Sequence, residues 1–314
     1  MDKFNPVDMS VWQGRQDPED GELALRWHDK VQPWPQAGHA APGVALVGFA
    51  CDEGVRRNKG RVGAAGAPLA VRKLLANSAW HLSRPVYDSG DVHCEDGDLD
   101  AAHGRLAERV ARLLDEGHFP LVLGGGHEVA FGSWSGLNRH LAGCARVGII
   151  NFDAHFDLRM KLEQASSGTP FFQIAEQCAA QGTPFTYACL GVAETANTRA
   201  LFARAEALGV WHVLDEAMTP AELPVLLSGL DAFIARCDHL YLTIDLDVLP
   251  AAVMPGVSAP AARGVELAVI EPLIAHIRAS GKLRLADLAE YNPSLDQDNR
   301  SARVAARLVH QLTK

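Results

Sequence analysis

The sequence has no run of about 18 consecutive apolar residues, the length a helix needs to cross a membrane. Nor do residues 1–16 hold the apolar stretch that marks a secretory signal. Long basic runs are missing, and 29 basic against 38 acidic side chains leave a formal charge of −9. That balance argues against nucleic acid or an anionic membrane surface as partner, and any anionic substrate must be met by a local basic cluster. Internal repeats and low-complexity segments are absent. Cysteine is scarce: six residues, at 51, 94, 144, 178, 189 and 237, with no CxxC spacing. Several sit in apolar segments, where a free thiol acts as a small buried hydrophobe. None lies beside a motif, so a cysteine–histidine protease is unsupported, and the usage points to a reducing compartment, the cytoplasm.

A hydrophobic content of 48% across 314 residues is ample for a core. From residue 44 onward, apolar strand patterns at 44–50, 85–87, 120–123, 147–152, 186–190, 209–213, 240–244 and 283–288 alternate with helical ones. The helical patterns lie at 67–76, 101–116, 129–141, 170–181, 196–208, 220–235, 266–279 and 301–311. Such alternation predicts a three-layer α/β/α sandwich around a mostly parallel central sheet of about eight strands. The expected organisation is a single domain over 1–314. Residues 1–43, rich in Pro, Gly and Asp, read as an irregular arm with one short helix near 23–30, its Trp12, Trp27 and Trp34 packing it onto the body.

Three stretches carry chemistry. Asn151-Phe152-Asp153-Ala154-His155-Phe156-Asp157-Leu158-Arg159 follows the apolar run 147–150, and strand alternation would project Asp153, His155 and Asp157 together. Asp245 and Asp247 stand likewise two apart behind an apolar segment. His127 follows Gly124-Gly125-Gly126, which lets the backbone turn sharply at the end of a strand. A lone buried Asp or His is more often a hydrogen-bonded core residue. Here that reading would have to hold three times over, always at the carboxyl end of a strand, where open parallel sheets bind ligands. Pooled, His127, Asp153, His155, Asp157, Asp245 and Asp247 offer four carboxylates and two imidazoles, enough to neutralise two divalent cations. Oxygen ligands in the majority, with no cysteine, favour Mn2+ over Zn2+, and Fe2+ or Co2+ would also fit chemically. Two such ions about 3.5–4 Å apart, bridged by a water whose pKa they lower, are a general device for hydrolysis.

The three motifs, in this order, closely resemble the signatures of the ureohydrolase family, which comprises arginases, agmatinases and formimidoylglutamases. The likeness runs from about residue 44 to the C-terminus and includes Glu290-Tyr291-Asn292-Pro293. It implies the arginase-like α/β sheet fold, two Mn2+ per chain, and hydrolysis at an amidine or guanidine carbon. By position it assigns His127, Asp153, Asp157 and Asp245 to one ion, and Asp153, His155, Asp245 and Asp247 to the other. Family members often form trimers or hexamers, so the resemblance admits a homo-oligomer.

Departures from the pattern narrow the substrate. Arginases and agmatinases usually read Gly-Gly-Asp-His-Ser at the first motif, whereas Gly126 and Glu128 flank His127 here. Leu249 precedes Pro250 where a third Asp is usual. The loop Ser166-Ser167-Gly168-Thr169-Pro170-Phe171 lacks the His that guanidine-cleaving members carry. Instead Arg159 follows the second motif, and Gly54-Val55-Arg56-Arg57-Asn58-Lys59-Gly60-Arg61 follows the first main strand. Arginine forks suit carboxylates. That loop and Trp12-Gln13-Gly14-Arg15 resemble the formimidoylglutamase branch, whose small-molecule substrate joins an amidine to the carboxylates of glutamate.

The expected reaction is hydrolysis of N-formimidoyl-L-glutamate to L-glutamate and formamide, in histidine degradation. Hydroxide bridging the metals would attack the formimino carbon. Asp157, as the resemblance suggests, would accept and pass on a proton, and Glu290 would hydrogen-bond the substrate N–H. Arg56, Arg57, Asn58, Arg61 and Arg159 are candidates for carboxylate binding, and Ser167 and Thr169 for further substrate contacts. The alternative in the same family is an agmatinase or guanidino-acid hydrolase releasing urea. A non-catalytic metal-binding scaffold and a one-zinc deacetylase are the readings from other classes.

Overall fold

Strands buried on both faces need side chains that are apolar without alternation, and the central strands have them. In β2 (Val44–Ala50), Val44 and Leu46 enter one core while Ala45, Val47 and Phe49 enter the other. The computed structural model describes residues 7–35, 40–94, 96–143 and 145–314. Parts of the expected arm, at 1–6 and 36–39, and Cys144 lie outside them.

Nine parallel strands form one sheet in the order β1-β3-β2-β4-β9-β8-β5-β6-β7. The others are β1 (Gln32–Pro33), β3 (Val86–His93), β4 (Phe119–Leu123), β5 (Val147–Phe152), β6 (Thr186–Val192), β7 (Trp211–Leu214), β8 (His239–Asp245) and β9 (Leu283–Ala289). One face is covered by α3 (Ala67–Ala76), α8 (Leu223–Ala235), α9 (Leu267–Ala279) and α10 (Arg300–Thr313). The opposite face is covered by α4 (Leu99–Asp115), α5 (Val129–His140), α6 (Pro170–Gln181) and α7 (Arg199–Ala207). In α10 the apolar stripe Ala302, Ala305, Ala306, Val309 and Leu312 is buried while Arg303 and Arg307 face solvent, so a 3.6-residue period fixes which side docks. The three-layer α/β/α sandwich expected from the pattern is the observed one.

Four elements depart from expectation in ways that bear on the fold. The ninth strand, β1, comes from the arm and pairs in parallel with β3 through two residues. In the arm, α1 (Trp27–Lys30) is shorter than expected, and Trp12, Trp27 and Trp34 are all buried against the body. Strand β3 continues to His93, through Asp88, Ser89, Gly90 and Asp91, which no hydrophobic pattern announces. Arg72 explains it. From α3 this side chain, 4% exposed, places Nε 2.8 Å from Asp88 and Nη1 2.6 Å from Asp91, and Trp12 donates to Asp88 at 2.8 Å. Ser89 donates to the Leu46 carbonyl at 2.9 Å. Finally, β7 starts at Trp211 rather than 209, because Gly209 (φ +67°) still belongs to the turn that closes α7.

Among the described residues no helix is long and apolar enough to cross a membrane. Removing Arg72 would leave the buried Asp88 carboxylate without the guanidinium it pairs with. We predict that Arg72→Ala lowers unfolding free energy by about 3–5 kcal/mol in urea titration, the usual cost of breaking a buried pair. A loss below about 1 kcal/mol would show that the cluster contributes little.

Candidate metal centre

Four neighbouring strands, β4, β9, β8 and β5, end almost level: Leu123 pairs with Leu288, Ile244 with both Leu288 and Phe152, and Asp245 with Ala289. Each is followed by a segment that turns across the rim. Side chains more than 100 residues apart are thereby delivered to one place.

After β4 the chain must pass very close to β2 and β9. A Cβ on Gly125 would stand 1.6 Å from the Cys51 carbonyl oxygen, and one on Gly124 would stand 2.6 Å from that of Leu288. Only glycine fits, and the turn presents His127 fully buried, its Nε2 3.0 Å from Thr243 Oγ1. After β5, strand alternation is not what gathers the ligands. The strand stops at Phe152, and 153–157 is a loop. Asp153 accepts from the His155 amide at 2.6 Å, an Asx turn, and Asp157 sits at φ 45°. Asp245 accepts from the Asp247 amide at 2.9 Å in the same manner. The two-residue spacing thus encodes a turn. Asn151 braces the first loop by donating to Asp153 and Tyr187, both at 2.9 Å, and Asn197 donates to Ala154 at 2.9 Å while accepting from Phe156.

The side chains converge on two groups that could hold an ion, His127, Asp153, Asp157 and Asp245 in one, and Asp153, His155 and Asp247 in the other. Asp245, expected to serve both, belongs only to the first. His127 Nδ1 lies 3.1 Å from Asp153, 2.9 Å from Asp157 and 3.0 Å from Asp245. One nitrogen can donate to one oxygen only, and Nδ1 makes no well-formed hydrogen bond to any of the three. The geometry is that of atoms surrounding a common point. Neighbouring ligands of an octahedral ion held at about 2.1 Å stand about 3 Å apart. In the second group His155 Nδ1 is 3.1 Å from Asp247 and 3.5 Å from Asp153, and Asp247 Oδ1 is buried with no hydrogen-bond partner among the described residues.

Charge points the same way. Burial, then the neighbouring carboxylates, push Asp245 well above the carboxylate range and raise Asp157 too. Burial opposes charging His127, but Asp153, Asp157 and Asp245 still hold its pKa well above the ordinary value; Asp247, with Asp153, does the same for His155. Burial likewise opposes the ionised form of Asp153, which His127 and His155 nevertheless keep below the usual range. Without cations the cluster must therefore carry protons. With them it can ionise, and the donor set of four carboxylates and two imidazoles fits hard divalent ions.

A cavity of about 410 Å³ opens over the cluster. Asn58, Arg61, Arg159 and Ser167 line it, as does Glu290. Asn58 donates to Ser167 at 3.2 Å, and Arg159 lies over Gly168, where a Cβ would stand 2.8 Å from its Cδ. Arg56 and Arg57 do not reach the cavity. Both pair with Glu53, and Arg57 also donates to the Gly97 and Ala165 carbonyls, at 2.8 and 3.3 Å. Thr169 points away too, its hydroxyl bonding Ser166 and Gln173 at the start of α6. Sequence reasoning passed over several lining residues, Lys59, Asn197 and Ser258 among them. Lys59 sits at φ 62° within the basic run already singled out, and Asn197 carries no motif. Glu290, itself at φ 65°, accepts from the His127 amide at 2.9 Å, and burial, then Glu128, raises its pKa to about 8. A larger cavity, about 1460 Å³, lies over the ends of β2 and β3 and contains none of the six ligands. The smaller one holds the chemistry.

Known proteins resemble this chain in sequence and in fold. The model of the arginase family matches residues 42–314. Over 314 residues, all of both chains, the sequence is 97% identical to a formimidoylglutamase of Aeromonas hydrophila. It is 57% identical over 308 residues, 98% of each chain, to one from Chromobacterium violaceum. The fold is similar to that of a Bacillus subtilis formimidoylglutamase, with TM-score 0.83, 22% identity, and 96% and 94% of the two chains covered. It is also similar to Trypanosoma cruzi formiminoglutamase solved with Mn2+, with TM-score 0.76, 25% identity, and 87% and 92% covered.

Because burial and crowding raise the pKa values of Asp157 and Asp245, and the carboxylates raise those of the imidazoles, metal and protons compete. Mn2+ titrated into chelator-treated protein at neutral pH should release protons, and affinity should strengthen as pH rises, since fewer protons remain to be displaced. Calorimetry in buffers of differing ionisation enthalpy checks this. Heats independent of the buffer would contradict it.

Proposed function

We infer the reaction from one premise: the chain belongs to the arginase family. It hydrolyses the formimino C–N bond of N-formimidoyl-L-glutamate, giving L-glutamate and formamide, a step of histidine degradation. The observation that carries the chemistry is His127 Nδ1 ringed by three carboxylate oxygens at 2.9–3.1 Å.

We assign two Mn2+ per chain to the six residues, His127, Asp153, Asp157 and Asp245 holding one, and Asp153, His155 and Asp247 the other. Bound there, such ions lower the pKa of water and polarise the amidine. Asp157 borders both the cluster and the cavity, the position from which a carboxylate takes a proton and passes it to the leaving nitrogen. Glu290 lines the same cavity with one oxygen held by the His127 amide, which leaves the other to orient a substrate N–H. Arg159, with Lys59 and Arg61, supplies positive charge opposite the metal cluster for the glutamate carboxylates. Arg61 is fixed for this by bonds to the Val257 and Ser258 carbonyls, at 2.7 and 3.0 Å. Asn58 and Ser167 add neutral donors. With Asp157 moving the proton, no histidine is needed in the loop 166–171, and it has none.

We take the continuous nine-stranded sheet as one domain, and place the protein in the cytoplasm, where the free thiols of its five described cysteines would persist. Mn2+-loaded protein should release formamide and L-glutamate from N-formimidoyl-L-glutamate and no urea from agmatine. Urea from agmatine, with the formimino compound untouched, would reject the assignment. Asp153→Asn should lower kcat by about a hundredfold or more, because it removes a ligand common to both ions. Activity within about tenfold of the parent would exclude that shared role.

A further inference from the structure

Glu128 stands where arginases and agmatinases usually have Ser, and its setting accounts for the change. The side chain is fully buried but belongs to neither ligand group. Its Oε1 accepts from the Gly54 amide at 2.9 Å and from the Cys51 thiol at 3.4 Å. Two glycines make room for it. A Cβ on Gly54 would stand 2.4 Å from Glu128 Cδ, and one on Gly126 would stand 2.1 Å from Glu128 Oε2. Gly126 and Glu128 are therefore one structural unit. An Asp at 126 would need the space that the Glu128 carboxyl fills, and a Ser at 128 would fall short of Gly54.

What that unit holds is the substrate-facing loop. Gly54 lies in α2 (Glu53–Arg57), which leads directly into Asn58, Lys59 and Arg61 at the cavity. The far end of the loop is fastened separately, by the Arg61 amide to Ser258 Oγ at 2.8 Å and the Gly63 amide to Asp52 at 2.7 Å. At the near end, Glu128 is the side chain that joins the loop to the residue next to His127. We propose that Glu128 is a positioning residue for substrate recognition: it sets the 54–61 loop at a fixed distance from the metal-ligating cluster, so that the carboxylate-binding side chains and the reacting carbon are reached together. This deepens the reading of the cavity as a site for a glutamate-derived substrate and rests on it.

The test separates binding from chemistry. In the Mn2+-loaded enzyme, Glu128→Ser should raise KM for N-formimidoyl-L-glutamate and the inhibition constant of L-glutamate together, each about tenfold, with kcat within about threefold and Mn2+ content unchanged. Glu128→Gln keeps an acceptor for the Gly54 amide and should recover both constants to within about threefold of the parent. Gly54→Ala, which pushes on the same contact from the loop side, should reproduce the KM shift and serves if Glu128→Ser does not fold. Loss of metal or of kcat at unchanged KM would overturn the proposal in favour of a role through His127, and unchanged constants would overturn it outright. A parent enzyme that neither turns over the formimino substrate nor is inhibited by L-glutamate would overturn the substrate reading and this inference together. An active parent with an indifferent Glu128→Ser overturns the inference alone.

Discussion

Like charges repel, and this chain brings four carboxylates to within a few ångströms of one another at the rim of its sheet. The cost of such crowding in a poorly hydrated place is several kcal/mol for each uncompensated charge. Two imidazoles offset part of it, as the upward shifts of His127 and His155 record. They cannot offset all of it, since Asp245 and Asp157 are still driven toward protonation. A rim built this way stays marginal until divalent cations enter, and binding free energy is then available to lock the surrounding loops.

The scaffold meets that cost with rigidity. Two large apolar cores hold β4, β9, β8 and β5 side by side, and the residues beyond the strand ends are strapped rather than free. Asp157 and Glu290 adopt left-handed backbone conformations that non-glycine residues enter at a cost of about 1–3 kcal/mol. Both face the cavity. At these two positions the strain aims a side chain, and Asn151, Asn197 and the Glu290–His127 contact brace the surrounding segments.

Much of this was legible in the residues alone. Alternating apolar periods gave the layered sheet, because burial on both faces leaves a continuous hydrophobic signature. The convergence of six candidate ligands was legible because three short motifs repeated one pattern, acid or imidazole just past an apolar run. Other features left no such trace. The polar half of β3 is strand only because Arg72 arrives from α3 to pair with it, and that is a tertiary fact. Asp153, His155 and Asp247 come together through Asx turns, so the spacing was informative while the strand geometry inferred from it was not. Of the basic loop, local sequence could not say that Arg56 and Arg57 would fold back on Glu53 while Lys59 and Arg61 reached the cavity. Glu128 could be noticed as a departure from the family motif, but its link to Gly54 required coordinates.

All of the chemistry assigned to this chain depends on the six side chains caging a pair of cations. The most direct measurement is anomalous diffraction at the manganese edge from crystals of the Mn2+-loaded protein. Two peaks should appear, one among His127, Asp153, Asp157 and Asp245 and the other beside Asp153, His155 and Asp247. A single peak, or manganese bound elsewhere with this rim empty, would contradict the account.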